Sequence, residues 1–143
     1  MRRPKDLQYA ESHVWVKLEE NNEAVIGITD YLIKNLETIN SISMPKVKNA
    51  IEQDAFLCEI DTDEGLIGLT SPISGKILSV NTTLVKNPNM LLEDNYDDGW
   101  LVKIKITDPA ELGILISHDE YNEFIKNELA ELDEQEDEAE DLE

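Results

Sequence analysis

Asp61, Asp63 and Glu64 bring three carboxylates into four residues, and the chain turns apolar immediately afterwards, in "DTDEGLIGLTSP". Closely spaced Asp and Glu oxygens are the ligands that calcium takes. The EF-hand loop, however, needs glycine at its sixth position and glutamate at its twelfth, and counting from Asp61 these are Leu66 and Pro72. The metal reading fails on that spacing, and a solvated turn tolerates like charges without a ligand. His13 and His118 are the only histidines and stand in no closely spaced set with carboxylates. Each reads as a surface or capping residue. Cys58 is the single cysteine, which excludes an internal disulfide, a Cys-x-x-Cys pair and a cysteine zinc cluster. Its place between Leu57 and Glu59 in a strand-like run reads as a packed thiol rather than a nucleophile. No serine lies in a nucleophile elbow, and the six glycines are scattered rather than gathered into a phosphate loop. No enzyme active site is visible in these residues.

The elements that must position the acidic stretch are short and mostly extended. "HVWVKLE" alternates, with Val14, Val16 and Leu18 on one side and His13, Trp15 and Lys17 on the other, and "EAVIGI" follows the polar "ENN", so the pair predicts a hairpin. Thr29 is placed to cap a short helix whose Leu32, Ile33, Leu36 and Ile39 recur at helical spacing. "INSIS" returns to strand, "AFLCEI" and "GLIGLT" form a second hairpin through the acidic tip, and "KILSV" and "WLVKIKI" supply further strands. "NTTLVKNPNMLLEDNYDDG" between them reads as irregular. Asp108, Pro109 and Glu111 predict a capped helix start, repeated by Ser117 and Glu120, with Tyr121, Phe124, Ile125, Leu129 and Leu132 as one apolar stripe behind it. Short strands at close intervals indicate a compact β-sandwich or barrel with a C-terminal helix.

With 143 residues the chain has the length of one ordinary domain, enough to bury roughly two thirds of its unfolded surface. We expect one domain over residues 1–132 and an acidic, disordered tail over 133–143. Net charge is −20, and residues 128–143 hold ten acids and no base. Nucleic acid and anionic membrane are poor partners for such a surface, because both depend on Lys and Arg neutralising phosphate. No run approaches the roughly 18 apolar residues of a spanning helix, and "MRRPKDLQYAESH" has no secretory apolar stretch, so a cytoplasmic location is expected.

The order of the segments resembles the H protein of the glycine cleavage system from about Tyr9 to Phe124. The resemblance is carried by "ESHVWV", "VIGITDY", "SPISGKILSVN", "LVKNPNMLLEDNYDDGWLVKIKI" and "DPAEL", in that order and at closely similar spacing. It implies a mainly β fold, a lipoyl/biotinyl-type barrel-sandwich hybrid with short flanking helices. It also implies a carrier rather than an enzyme: in that family a lysine at a hairpin tip bears lipoate, which collects an aminomethyl group and shuttles it between enzymes.

Counting back from Pro72 without a gap, that lysine position falls on Glu64 and the family's preceding glutamate on Asp61. A carboxylate cannot form the lipoyl amide, and no lysine lies anywhere from Asn49 to Gly75. Where the family motif has glutamate between His and Trp, a residue associated with holding the loaded arm, this chain has Val14. Replacement of one lysine in a working carrier would explain Glu64 but not Val14, Asp63 or "GLIG". The residues therefore favour a binding or accessory module without lipoate, meeting glycine cleavage enzymes, lipoate-handling enzymes or another basic partner through Asp61, Asp63 and Glu64. The alternative is a working lipoyl carrier with an attachment site elsewhere.

Overall fold

Alternation and turn residues set the first hairpin. In the computed structural model, which describes residues 6–34 and 36–128, β2 (Val14–Glu19) pairs antiparallel with β3 (Glu23–Ile28), in register from Val14↔Ile28 to Glu19↔Glu23. Asn21 and Asn22 make the turn with φ of 61° and 60°, the left-handed conformation that asparagine tolerates better than most residues. β1 (Gln8–Tyr9) adds to one side of this hairpin. β9 (Val102–Ile106), β8 (Gly75–Val80) and β5 (Ala50–Ile51) add to the other, giving a six-stranded sheet in the order β1-β2-β3-β9-β8-β5. β4 (Ile39–Ser43), β6 (Phe56–Thr62) and β7 (Gly65–Thr70) form a second sheet, ordered β4-β6-β7. Every pairing is antiparallel.

The main core takes residues from both sheets, including Val16, Ile26 and Ile104 from the first and Ile42, Ile60 and Leu69 from the second. This is the expected sandwich: strands with one apolar face stack those faces on each other. A smaller cluster of Leu7, Tyr9, Trp15, Tyr121 and Ile125 lies where a helical segment over residues 118–128, here α4, packs on the first sheet. No helix among the described residues is long and apolar enough to cross a membrane.

Several local expectations are corrected by long-range packing. The alternation of β2 does not separate inside from outside: Trp15 is buried in the cluster beside α4, while Leu18, on the side of the buried Val14 and Val16, is exposed. Both faces of β2 are covered at its start and neither at its end, so alternation fails there. α1 (Asp30–Ile33) is one turn only, and Ile39 belongs to β4. Thr29 stands at the N-cap position of α1, but its hydroxyl bonds the Tyr121 hydroxyl at 2.7 Å instead of the helix. The stretch read as irregular holds two short helices, α2 (Thr82–Lys86), capped by the Asn81 side chain, and α3 (Met90–Glu93). Asp108 does cap the 3₁₀ turn Pro109–Ile114, but the Glu111 carboxylate leaves the box to accept from Ser74 N–H and Oγ–H, at 2.7 and 2.9 Å. Ser117 and Glu120 close the full reciprocal box, each side chain accepting from the other's N–H. Leu129, Leu132 and the tail 133–143 lie outside the described residues.

Candidate functional site

The acidic tip is the two-residue loop of the β6–β7 hairpin. Thr62 and Gly65 close the ladder and leave Asp63 and Glu64 between them, both exposed. Gly65 has φ of 131°, a region closed to residues with a Cβ, so the tight return of the chain depends on glycine. Thr62 is buried and fastens the turn from within: its hydroxyl donates to Gly65 O at 2.8 Å and accepts from Glu64 N–H at 3.2 Å. The neighbouring β4 strand adds a third hold, Asn40 Nδ2 donating to Asp63 Oδ1 at 3.0 Å. Asp61 lies one pair down the ladder, opposite Leu66.

Thus Asp63 and Glu64 are brought together with Leu36, Glu37, Thr38 and Thr62 around a groove of about 180 Å³, and Asp61 stands beside the tip without lining it. The groove carries the negative charge of Glu37, Asp63 and Glu64. Its side chains offer carboxylates and hydroxyls but no amine, so they do not fit a lipoyl arm, whose attachment is an amide to a lysine. Lys76 lies within β8 of the other sheet, paired with Ala50. Lys48 is exposed at a turn, with φ of 77°.

The other chemistry-bearing residues are engaged in packing. The Cys58 thiol is buried, which pushes its pKa up to about 12 from an ordinary 9.0 and removes it as a nucleophile at neutral pH. His13 corrects the expectation of a surface or capping residue. Its Nδ1 lies 2.8 Å from the Tyr121 hydroxyl, its Nε2 lies 3.4 Å from Glu128 Oε2, and its ring meets Tyr31 with centroids 4.6 Å apart. His118 opens α4, with Nδ1 3.1 Å from Asp119 Oδ1. Val14 has no exposed surface and packs in the main core.

Sequence reasoning missed Thr62, Asn40 and the 36–38 rim. Asn40 and Asp63 are 23 positions apart, and no local pattern marks such a pair. Gly65 after two acids was the one readable signal of the tip geometry. In the loop after α3, Asp94, Asp97 and Asp98 hold carboxylate oxygens within 4.8 Å of one another, but Asp97 and Asp98 are exposed and this arrangement is common in acidic loops without an ion.

Comparison with known proteins bears on the whole of this framework. The family model described as Glycine cleavage H-protein matches residues 7–128. A glycine cleavage system H protein of Xylella fastidiosa (strain M12) is 33% identical over 124 residues, covering 87% of this chain and 95% of the relative. The mitochondrial glycine cleavage system H protein of Flaveria trinervia is 36% identical over 124 residues, 87% of this chain and 74% of the relative. The crystal structure of a glycine cleavage system H protein from Mycobacterium marinum superposes with a TM-score of 0.73 at 24% identity, covering 83% of this chain and 95% of that one, and so supports the barrel-sandwich fold. The chain belongs to the glycine cleavage H-protein family.

Proposed function

We propose that this chain is an H-protein-fold binding or accessory module that carries no lipoate at the usual position. The observation that supports this is Glu64 at the exposed tip of the β6–β7 hairpin, where the resemblance puts the carrier lysine. Lipoyl transfer forms an amide between the acid and a primary amine, and a carboxylate offers no nitrogen for that bond. The intact geometry of the tip favours a retained docking role. A turn fastened by Thr62, Asn40 and Gly65 presents Asp61, Asp63 and Glu64 in a fixed arrangement, which suits a basic surface on a protein partner. The enzymes of glycine cleavage and of lipoate handling are the partners proposed, because H proteins work with them.

The test is incubation of the chain with a lipoate ligase, lipoate and ATP, followed by intact mass. No increment is expected. A lipoyl-sized gain would overturn the reading in favour of a working carrier. Peptide sequencing would then locate the attachment, with Lys48 the first candidate because it is exposed at a turn and Lys76 the second.

A further inference from the structure

β7 ends its sheet, because the strand order β4-β6-β7 leaves its outer side without a neighbour among the described residues. Thr62↔Gly65 is the hydrogen-bonded pair that closes the hairpin, so the pairs Asp61↔Leu66 and Glu59↔Gly68 are of the non-bonded kind. The N–H and C=O groups of Leu66 and Gly68 therefore point away from β6, at the open edge. Edge strands ordinarily discourage pairing with charge, proline or a bulge. "GLIGLT" contains no charged residue and no proline, and its pairing is regular from Gly65 to Leu69. Leu66 is 64% exposed.

The surroundings select what kind of strand can add there. Leu66 shares a face with Asp61, and Gly68 shares it with Glu59. Neighbouring strands lie about 4.8 Å apart, so a strand added to β7 would place its side chains roughly 10 Å from β6. Gly68 has no side chain to fill that interval, and a Cβ built there meets only Phe56, at 3.8 Å. A lysine or arginine opposite Gly68 can lie across the glycine and reach Glu59. Its neighbour two residues along stands opposite Leu66, with Asp61 beyond it on the same face. The alternate residues of the added strand fall beside the half-buried Ile67 and are best apolar. From Asn49 to Gly75 the chain has no cationic residue to compete.

We propose that the open edge of β7 binds an extended partner segment as an added antiparallel strand, one that alternates cationic and apolar residues. This rests on the docking role proposed above and names the form of the partner's contact: main-chain bonds from Leu66 and Gly68, and lysines or arginines on Glu59 and Asp61. An isolated charge contact would need no such edge, and an uncharged strand would leave the acids unmatched.

The test uses the full chain and a fluorescein-labelled, acetylated peptide Lys-Val-Lys-Val-Lys-Val-Lys. The control is a peptide of the same composition without alternation, Lys-Lys-Val-Val-Val-Lys-Lys. Gly68→Pro and Leu66→Pro each remove one outward N–H without touching a bond to β6. The alternating peptide should bind and slow amide exchange at Leu66 and Gly68, and each proline should weaken it about tenfold, the effect of losing one main-chain bond. The control peptide should bind less well than the alternating one. If both proline variants fail to fold, amide exchange in the unaltered chain decides the matter.

Equal binding of both peptides with no protection at Leu66 and Gly68 would overturn strand addition and leave docking by charge standing. No binding of the alternating peptide would also overturn it. A dimer of the free chain that Gly68→Pro abolishes in sedimentation velocity would assign the edge to a second copy instead. A lipoyl-sized mass gain in the separate ligase experiment would overturn the accessory role without altering these outcomes.

Discussion

Glu64 is exposed at a tip whose backbone is held by Thr62 and Gly65, so its side chain can be exchanged without disturbing the turn. Glu64→Lys should fold with nearly unchanged stability, gaining at most a few tenths of a kcal/mol from relief of repulsion by Asp61 and Asp63. It should acquire a lipoyl-sized mass increment in the ligase assay where the unaltered chain does not. Failure of a well-folded Glu64→Lys to take lipoate would mean that the surface read by the ligase has diverged as well as the lysine. The other departure from the family motif cannot be repaired so simply. Val14 is fully buried, and a glutamate there would bring a carboxylate into the core, which costs several kcal/mol or forces the strand to shift. Gly27 shows the opposite constraint, that of space. It faces Trp15 across the β2–β3 ladder, and a Cβ at this position would stand 2.2 Å from Trp15 Cε2. Gly27→Ala should lower unfolding free energy by about 1–3 kcal/mol in urea titration, as overpacking of a filled site does. An unchanged midpoint would show that the indole has room to move.

At the scale of elements, the chain entering α4 is bridged to β1 by the paired backbone bonds of Tyr9 and Ile116, and side chains fasten α4 and the loop after α3. The Tyr121 hydroxyl meets both His13 Nδ1 and the buried Thr29 hydroxyl. Tyr121→Phe keeps the ring stacked on Tyr9 and removes that junction, with an expected loss of about 1–3 kcal/mol. Urea unfolding of the variant checks this, and a loss well below that range would mean that another group satisfies Thr29. In the same cluster, Trp15 Nε1 donates to Asn95 O at 2.9 Å, and Asn95 Nδ2 donates to Ile28 O at 2.7 Å. Tyr96 completes this attachment, its hydroxyl donating to Asp30 Oδ1 and accepting from Asp30 N–H. Burial, and then the hydrogen bond to Asp30, raise the Tyr96 pKa well above its ordinary 10.0, while burial alone raises Cys58 from 9.0 to about 12. Both groups hold their protons more tightly folded than unfolded. Their contribution is complete below the unfolded values and is lost as pH climbs through 9.0 and 10.0 toward the folded ones. The urea midpoint should therefore fall above about pH 9, and Tyr96→Phe should flatten the part of that decline above about pH 10. A decline of the same slope in the variant would exclude Tyr96 as a source.

At the scale of the molecule, 32 acidic residues against 12 basic ones leave a net charge of −20. So large an excess repels itself in the compact state and is screened by salt over about 10 Å at 0.1 M. The melting temperature should rise between low salt and 0.5 M sodium chloride. A fall would mean that the few ion pairs, such as Lys103 with Glu19 and Glu23, outweigh the general repulsion. Membership of the H-protein family places the chain with carrier-fold proteins rather than enzymes.

Turns and alternation are local properties, and where they governed the outcome the sequence alone determined it. "ENN" between alternating runs made the β2–β3 hairpin, "INSIS" is β4 residue for residue, and two acids before Gly65 made the tip that exposes Glu64. The ordered motifs from Tyr9 to Phe124 likewise identified the family, because they fix spacing along the chain. Tertiary structure decided what each side chain touches. Only the approach of the loop after α3 and of the cluster around α4 buried Trp15; only α4 drew Thr29 away from its helix and enclosed His13; only the approach of Ser74 took Glu111 out of its capping box. These partners lie 37 to 108 positions apart, and a contact over that distance is chosen by how whole faces pack, which no window of neighbouring residues records.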